Sequence, residues 1–315
     1  MEDKIKQLKT EISKHIIGHS QMVDAILIGL LSKGHILIEG LPGLAKTTAV
    51  NTLSKVIGLD FKRIQFTPDL LPTDILGTEI YNPKTETFQL KKGAVFTNLL
   101  LCDEINRASA KVHSALLEIM QERQVTIGNH SFKIQEPFYV LATQNPIDQE
   151  GTYALAQAQL DRFMLKIIVG YNSELEEFEI AQKAANDSFE TINQILNKET
   201  LLQMQKEVQS IYIDDNLTHY IIKLIFATRD VKKYNLPSLE NTISYGASPR
   251  ATIDLLKAVK ASAYLRGKKS VSPIDIALCA KIVLRHRILL TYEAEADGVL
   301  VDDVIETIIK NIEID

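Results

Sequence analysis

The stretch GLPGLAKTTAV, Gly40 to Val50, decides how this chain folds. It nearly matches the phosphate-binding loop G-x-x-x-x-G-K-[ST], but Ala45 stands where the pattern has its last glycine. HILIEG before the loop predicts a short buried strand, and TTAVNTLSKVIG after it predicts a helix that ends at Gly58. Because such a loop lies between a strand and a helix, this context favours a nucleotide site over an ordinary glycine turn.

The residues of the loop suit the phosphates and the metal of ATP·Mg²⁺. Gly40 and Gly43 permit close approach of the backbone. Lys46 can reach the β- and γ-phosphates, and the Thr47 hydroxyl can bind Mg²⁺. Ala45 adds only a methyl group, which is tolerable at this position if φ stays negative and excluded if φ is positive. The predicted nucleotide contacts of the loop are Gly40, Pro42, Gly43, Leu44, Ala45, Lys46, Thr47 and Thr48.

Further short apolar runs predict the rest of a sheet. They are FKRIQF (61–66), NLLLC (98–102), FYVLAT (138–143) and FMLKIIV (163–169). Helical or irregular segments separate these runs, which indicates a parallel sheet covered by helices. TEIYNPKTETFQL and QVTIGNHSFKI interrupt the alternation and predict two hairpins, the second with its turn at Gly128-Asn129.

Two of the predicted strands end in polar side chains. Asp103 and Glu104 follow NLLLC, and Asn145 follows FYVLAT. Each pattern alone also fits a strand end that meets solvent, or a turn before Pro146. Ligands of open parallel sheets bind at the carboxyl ends of the strands, where these residues should meet Lys46. We therefore expect Asp103 to hold Mg²⁺ with Thr47, and Glu104 to take a proton from the attacking water.

Composition limits the other possibilities. The 315 residues are enough for about two domains. From about Glu174 the strand patterns fade and helical spacing dominates. The net charge of -5 and the lack of basic runs make nucleic acid an unexpected partner. Cys102 and Cys279 form no metal or disulfide pattern. With no signal peptide and no apolar run long enough to span a bilayer, we expect a cytoplasmic protein without membrane insertion.

Several motifs together resemble the MoxR family of AAA+ ATPases. They are GLPGLAKT, LLCDEINRA, ATQNP, QEGTY with AQLDRF, YGASPRA and VLRHRI, and the resemblance runs from about Ile17 to Ile288. It implies an α/β fold, a P-loop NTPase core with a five-stranded parallel sheet over residues 1–170, and an all-helical lid over 171–315. Ala45 is then a family variant of the loop. The two hairpins correspond to the helix-2 insert and the pre-sensor-1 hairpin.

The resemblance also implies roles for individual residues. Asn145 matches sensor 1, Arg162 an arginine finger that acts on a neighbouring subunit, and Arg250 sensor 2. Ile17 and Gly18 match the segment beside the adenine. The sequence departs from the family at Gly18-His19, where Gly-Gln is usual, and in TYALAQAQLDRF, which lacks the usual Pro-Leu-Pro-Glu.

The family's task is Mg²⁺-dependent ATP hydrolysis that drives chaperone-like remodelling or maturation of protein complexes. The resemblance therefore implies a homo-oligomeric ring, a hexamer, with a protein client and a partner that carries a von Willebrand factor A domain. The alternatives are a nucleic-acid-associated AAA+ motor, a nucleotide-dependent scaffold that does not hydrolyse ATP, and a magnesium-chelatase-type motor subunit.

Overall fold

A computed structural model describes residues 2–146, 153–186 and 188–314. Of the QEGTY motif it describes only Tyr153. The chain forms two compact units. The first unit comprises Met1–Asp24, His35–Leu155 and Ile167–Leu202, and the second comprises Ala25–Gly34, Ala156–Lys166 and Gln203–Asp315. Compact units need not coincide with evolutionary domains, so the boundary at residue 170 stays a prediction of the sequence.

The strands, in chain order, are β1 (Ile36–Gly40), β2 (Phe61–Gln65), β3 (Gly77–Asn82), β4 (Thr87–Lys92), β5 (Leu99–Asp103), β6 (Gln124–Ile127), β7 (His130–Lys133), β8 (Tyr139–Gln144), β9 (Leu165–Val169), β10 (Ile243–Tyr245) and β11 (Leu289–Leu290). The helices are α1 (Glu2–Ser13), α2 (Ser20–Leu31), α3 (Lys46–Ile57), α4 (Pro72–Leu76), α5 (Ala110–Glu122), α6 (Gln157–Leu160), α7 (Glu174–Ala185), α8 (Lys198–Gln209), α9 (Asp215–Ala227), α10 (Pro249–Leu265), α11 (Pro273–Leu284), α12 (Tyr292–Ala296) and α13 (Val301–Asn311).

The five predicted strands form one parallel sheet in the order β2-β5-β8-β1-β9. Every residue of β5 is buried, and so are the first five residues of β8. Such continuous apolar runs are typical of parallel strands that are covered on both faces. The sheet order places the carboxyl ends of β1, β5 and β8 side by side. The predicted α/β fold is therefore confirmed.

The helix after the loop is confirmed, but the expectation that a positive φ at position 45 excludes alanine is wrong. Ala45 has φ 52° and ψ 17°, which is the left-handed region. A residue with a Cβ atom adopts this region at a cost of roughly 1–2 kcal/mol, so a positive φ disfavours alanine without excluding it. The carbonyl of Ala45 accepts from Ala49 N–H at 2.8 Å, so the hydrogen-bond ladder of α3 begins directly at this residue. Gly58, at φ 67°, ends the helix as predicted.

Both hairpins are confirmed. In the first, β3 and β4 pair antiparallel with Tyr81 opposite Phe88, and their rings lie 5.3 Å apart. In the second, β6 and β7 pair with Val125 opposite Phe132, and the turn falls at Gly128 with φ 57°. Neither hairpin pairs with the five-stranded sheet.

The second unit is mainly helical, but it is not all-helical as predicted. β10 and β11 form a two-stranded antiparallel sheet in which Ile243 lies opposite Leu290. These strands have three and two residues, which is too short for an alternating pattern to register in a sequence. Among the described residues, no helix combines the length and the apolar character that a bilayer crossing needs.

Candidate functional site

A cleft of about 310 Å³ lies at the carboxyl ends of β1, β5 and β8 in the first unit. This edge is where open parallel sheets bind their ligands. The structure brings the predicted loop, the two carboxylates and the amide of Asn145 together there. The residues that line the cleft are Pro42, Gly43, Leu44, Ala45, Lys46, Thr47, Thr48, Asp103, Glu104, Thr143 and Asn145.

The loop presents the N-terminus of α3 to this cleft. A helix N-terminus with successive free N–H groups favours an anion such as phosphate. Lys46 is the first residue of the helix, and its Nζ donates to the carbonyl oxygen of Gly40. A Cβ atom at Gly40 would lie 2.8 Å from the carbonyl oxygen of Val169, so the backbone approaches β9 too closely for a side chain. Gly43 has φ 85°, a region that favours glycine.

Asp103, the last residue of β5, is held at both carboxylate oxygens. Its Oδ1 accepts from Thr143 Oγ1 at 2.5 Å. Its Oδ2 accepts from Thr47 Oγ1 at 3.3 Å and from Arg63, at 2.6 Å from Nη2 and 3.0 Å from Nε. A buried carboxylate needs such partners, because desolvation of an unpaired charge is very costly.

Glu104 has a strained backbone, with φ 56° and ψ 51°. Its N–H donates to Thr143 Oγ1 at 2.9 Å, so one hydroxyl fixes both the carboxylate of Asp103 and the backbone of Glu104. Glu104 Oε2 lies 3.0 Å from Arg107 Nη1, but no described residue gives it a hydrogen bond. The contact with Arg107 is therefore an ion pair without a hydrogen bond.

The residues present fit a magnesium ion. The hydroxyl of Thr47 and the carboxylate of Asp103 are oxygen donors, which Mg²⁺ prefers, and they face one another across 3.3 Å. Among the described residues no cluster of three His, Cys, Asp or Glu side chains could hold a metal alone. That pattern is typical of a site in which Mg²⁺ takes one or two protein oxygens and completes its shell with phosphate oxygens and water.

Ile17 and Gly18 also belong to the first unit, but they do not line this cleft. The carbonyl oxygen of Ile17 accepts from Asn172 Nδ2 at 3.3 Å. Gly18 has φ 71°, and a Cβ atom there would lie 2.8 Å from the carboxyl carbon of Glu176. Gly18 lines a separate pocket of about 270 Å³ together with Ile16. The assignment of this segment to the adenine stays a prediction.

Arg162 and Arg250 belong to the second unit. Arg250, in the first turn of α10, has its Nη1 3.5 Å from Asp161 Oδ2. The hydroxyl of Ser248 lies 2.9 Å from both oxygens of the same carboxylate. The side chain of Arg162, the next residue in the chain, makes no hydrogen bond or ion pair with any residue that the structure describes. The roles of both arginines stay predictions.

The sequence did not single out Arg63, Arg107 or the hydroxyl of Thr143 as parts of the cleft. FKRIQF predicts a strand, but the place of Arg63 depends on β2 lying beside β5, with Arg63 opposite Leu101 in the register. Thr143 lies at the polar end of a predicted strand, but its contact with Asp103, 40 residues away in the sequence, follows from no sequence motif. In the second unit, the motif VLRHRI contains a buried arginine, Arg287, whose position in the sequence gives no signal of its partners.

Comparison with known proteins agrees with this geometry. Residues 35–165 match the model of the ATPase family associated with various cellular activities (AAA), and residues 239–308 match that of the AAA lid domain. The crystal structure of a candidate ATPase from Cytophaga hutchinsonii superposes with a TM-score of 0.94 at 48 % identity. The match covers 100 % of this chain and 96 % of that one.

Curated relatives resemble the chain over almost all of its length. The chaperone MoxR1 of Mycobacterium tuberculosis is 46 % identical over 96 % of this chain and 80 % of its own. The protein YeaC of Bacillus subtilis is 40 % identical over 96 % of this chain and 92 % of its own. The protein MoxR of Methylorubrum extorquens is 26 % identical over 98 % of this chain and 95 % of its own. On this similarity, and with the core and lid models both matched, the chain belongs to the MoxR family of AAA+ ATPases.

Proposed function

We propose that this ATPase hydrolyses ATP·Mg²⁺ in the cleft and uses the cycle to remodel or mature protein complexes in the manner of a chaperone. One observation carries the catalytic part. The phosphate loop, two carboxylates and an amide meet in a single cleft of about 310 Å³ at the carboxyl edge of the sheet. The chaperone part is supported by the similarity to the chaperone MoxR1.

The loop and Lys46 bind the phosphates in this proposal. The N–H groups at the start of α3 donate to phosphate oxygens, and Lys46 Nζ exchanges the Gly40 carbonyl for the β- and γ-phosphates. Thr47 and Asp103 hold the metal through the two oxygens that already face each other. Bound Mg²⁺ would neutralise the charge that develops on the transferred phosphoryl group.

Glu104 acts as the general base. Its Oε2 is buried, lines the cleft and accepts no hydrogen bond from a described residue, so it can accept the proton of an attacking water. Thr143 holds the backbone of Glu104 in its strained conformation through the 2.9 Å hydrogen bond. Asn145 lies in the same cleft and orients the water between the carboxylate and the γ-phosphate.

Arg162 completes the site of a neighbouring subunit, and Arg250 acts as sensor 2. AAA+ ATPases are typically oligomeric. The absence of a side-chain partner for Arg162 within the described chain supports a role outside its own subunit. We propose a homo-oligomeric ring, a hexamer, that works in the cytoplasm on a protein client with a von Willebrand factor A domain partner.

Glu104→Gln tests the chemistry. The amide keeps the size of the side chain but cannot take a proton, so ATP affinity should survive while turnover falls roughly 10²–10⁴-fold. Lys46→Ala should instead weaken nucleotide binding. Glu118→Gln is the matched control, since it makes the same change on the exposed face of α5. Equal losses of binding and turnover in Glu104→Gln would assign Glu104 a structural role.

A mixing experiment tests the ring. Arg162→Ala alone should bind ATP almost normally and hydrolyse it roughly 10³–10⁵-fold more slowly. Rings that mix it with Glu104→Gln contain interfaces with an intact Glu104 and an intact neighbouring Arg162, and these should recover activity. Mixtures of Glu104→Gln with Lys46→Ala are the control, because every site then lacks one of its own residues. Mixed rings without recovery would remove Arg162 from the proposed site.

Nucleic acid is not expected to bind tightly, because the net charge is -5. Duplex DNA should bind weakly, and an interaction in the nanomolar range at physiological salt with a steep salt dependence would favour the motor alternative.

A further inference from the structure

The guanidinium of Arg63 contacts the carboxylate oxygen of Asp103 that the proposed Mg²⁺ site requires. Arg63 is on β2, the strand next to β5, and its guanidinium donates two hydrogen bonds to Asp103 Oδ2, at 2.6 Å from Nη2 and 3.0 Å from Nε. The hydroxyl of Thr47 points at the same oxygen from 3.3 Å. Arg63 therefore holds the same oxygen of Asp103 that faces Thr47, the other group that we assign to Mg²⁺.

The two partners differ in their ability to move. The side chain of Arg63 is 51 % exposed, whereas that of Asp103 is 11 % exposed. The other oxygen of Asp103 is fixed by the hydroxyl of Thr143, so the carboxylate stays in place when the arginine leaves. A half-exposed guanidinium can return to solvent at small cost, because exposed ion pairs contribute little.

Arg63 also has an alternative acceptor close by. Its Nη2 lies 3.3 Å from Oε1 of Gln65, which is two residues further along β2 and thus on the same face of the strand. The guanidinium would therefore keep a protein hydrogen bond after it releases Asp103. The carboxylate of Asp103 is thus fixed, while the guanidinium of Arg63 is half exposed and has a second acceptor in Gln65. A second cation could replace the guanidinium on Asp103 in such an arrangement.

We infer that Arg63 competes with the metal for Asp103 Oδ2 and so sets the metal affinity of the cleft. The inference rests on the proposed function, since it needs Asp103 to hold Mg²⁺. A guanidinium and a divalent cation cannot both bind one carboxylate oxygen at close range without strong like-charge repulsion. Arg63 is thus a positioning residue, which keeps the carboxylate paired and must give way when Mg²⁺ enters with the nucleotide.

The test measures binding and not turnover. A fluorescent ADP analogue is titrated into the full chain in EDTA and in Mg²⁺. The Kd in EDTA divided by the Kd in Mg²⁺ gives the contribution of the metal to binding. In Arg63→Gln this ratio should rise about 5- to 10-fold, because the competing charge is gone. The Kd in EDTA should stay within about twofold, since Arg63 is assigned no phosphate contact. Lys62→Gln is the matched control, with the same loss of charge one residue earlier on β2, where the Nζ bonds the carbonyl oxygen of Gly93.

The outcomes separate the two proposals. A wild-type chain whose ADP affinity does not respond to Mg²⁺ would overturn the proposed metal site and the role of Arg63 with it. A normal response in the wild type with an unchanged or smaller ratio in Arg63→Gln would overturn only the role of Arg63. Weaker binding of Arg63→Gln in EDTA would assign Arg63 to the phosphates instead.

Unfolding in EDTA gives a second measurement that does not need nucleotide. Arg63→Gln leaves Asp103 without its cation, so Tm should fall by about 2 °C. The same substitution in an Asp103→Asn background should change Tm much less, because no charge remains to be paired. Arg63→Lys keeps the charge and should recover most of the loss. Equal losses in both backgrounds would show that the pair contributes nothing.

Discussion

The two compact units use the same chemistry, an arginine paired with a carboxylate, in opposite ways. In the first unit Arg63 bonds Asp103 at 2.6 Å with a guanidinium that is half exposed. In the second unit Arg287 bonds Asp254 at the same distance, 2.6 Å, but its side chain is 1 % exposed. The distances are equal, so they do not distinguish the pairs. The burial of the arginine does.

The guanidinium of Arg287 is shielded from water on all sides. Its Nη2 also donates to the carbonyl oxygen of Phe163 at 2.9 Å, and its Nε lies 3.0 Å from Asp161 Oδ1. Loss of one partner would leave an uncompensated charge in the interior, which is strongly unfavourable. Arg63, in contrast, exchanges one acceptor for another at the edge of a cleft. The comparison shows why removal of a buried arginine is costly, whereas a half-exposed arginine can leave its carboxylate during a cycle.

The largest expected effect is the loss of stability when the buried arginine of the second unit is replaced. Arg287→Gln should lower the free energy of unfolding by about 3–5 kcal/mol, because Asp254 and Asp161 lose their buried cation. Arg63→Gln should lower it by only about 0–1 kcal/mol. Urea denaturation of the two variants beside the wild type measures both values. Similar losses in the two variants would mean that burial of the arginine is not what separates the pairs.

The pH dependence of stability extends the comparison to buried groups that must stay neutral. Burial, and then the charge of Arg123, lowers the pKa of His35 in the first unit to about 3. Its Nε2 faces the carbonyl oxygen of Met120, and its Nδ1 accepts from Val140 N–H at 2.9 Å, so a proton on Nδ1 would face a donor. In the second unit burial lowers the pKa of His286 well below its usual range.

Because the folded pKa lies below the unfolded value of about 6.5, the stability that His35 contributes is complete above that pH and is lost as the pH falls. At pH 5 the loss should be about 2 kcal/mol for this one residue. Denaturation at pH 7 and pH 5 measures it. His35→Gln cannot become charged, so it should be less sensitive to this change in pH even though it is less stable at pH 7. An equal pH response in wild type and variant would refute the assignment to His35.

The smallest expected effect is a change in stability when alanine is replaced by glycine. It compares the left-handed backbone of the loop at Ala45 with the regular backbone of a helix. Ala45→Gly should raise the free energy of unfolding by about 1 kcal/mol, because glycine adopts the left-handed region without a Cβ penalty. The same substitution inside α10, Ala258→Gly, should lower it by at least about 1 kcal/mol. Thermal unfolding of both variants distinguishes the signs. A loss of stability in Ala45→Gly would show that the loop needs the alanine methyl for packing.

Much of this fold could be predicted because its signals are local. The apolar runs, the strand-loop-helix context of Lys46 and the Gly128 turn each lie within a few residues of chain. What failed was of two kinds. The φ of Ala45 is a compromise between a local penalty and the start of α3, and a pattern does not weigh the two. β10 and β11 are too short to show any periodicity.

The site was predictable only where its residues follow a strand end. Lys46, Asp103 and Glu104 could be placed at one edge of the sheet from strand patterns alone. Arg63 and Thr143 could not, because their contacts depend on which strands are neighbours. The order β2-β5-β8 brings together segments that are about 40 residues apart, and no short motif encodes that order.

The strand order also has a consequence for the synthesis of the chain on the ribosome. β1 carries the phosphate loop, yet its neighbour is β8, with Ile36 opposite Leu141. At roughly 5–20 residues per second, the loop waits about 5–20 s for the strand that pairs with it. During that interval the apolar β1 and the N-terminus of α3 have no native sheet to join. The cleft that the loop shares with the two carboxylates and Asn145 therefore forms only after β8 has emerged.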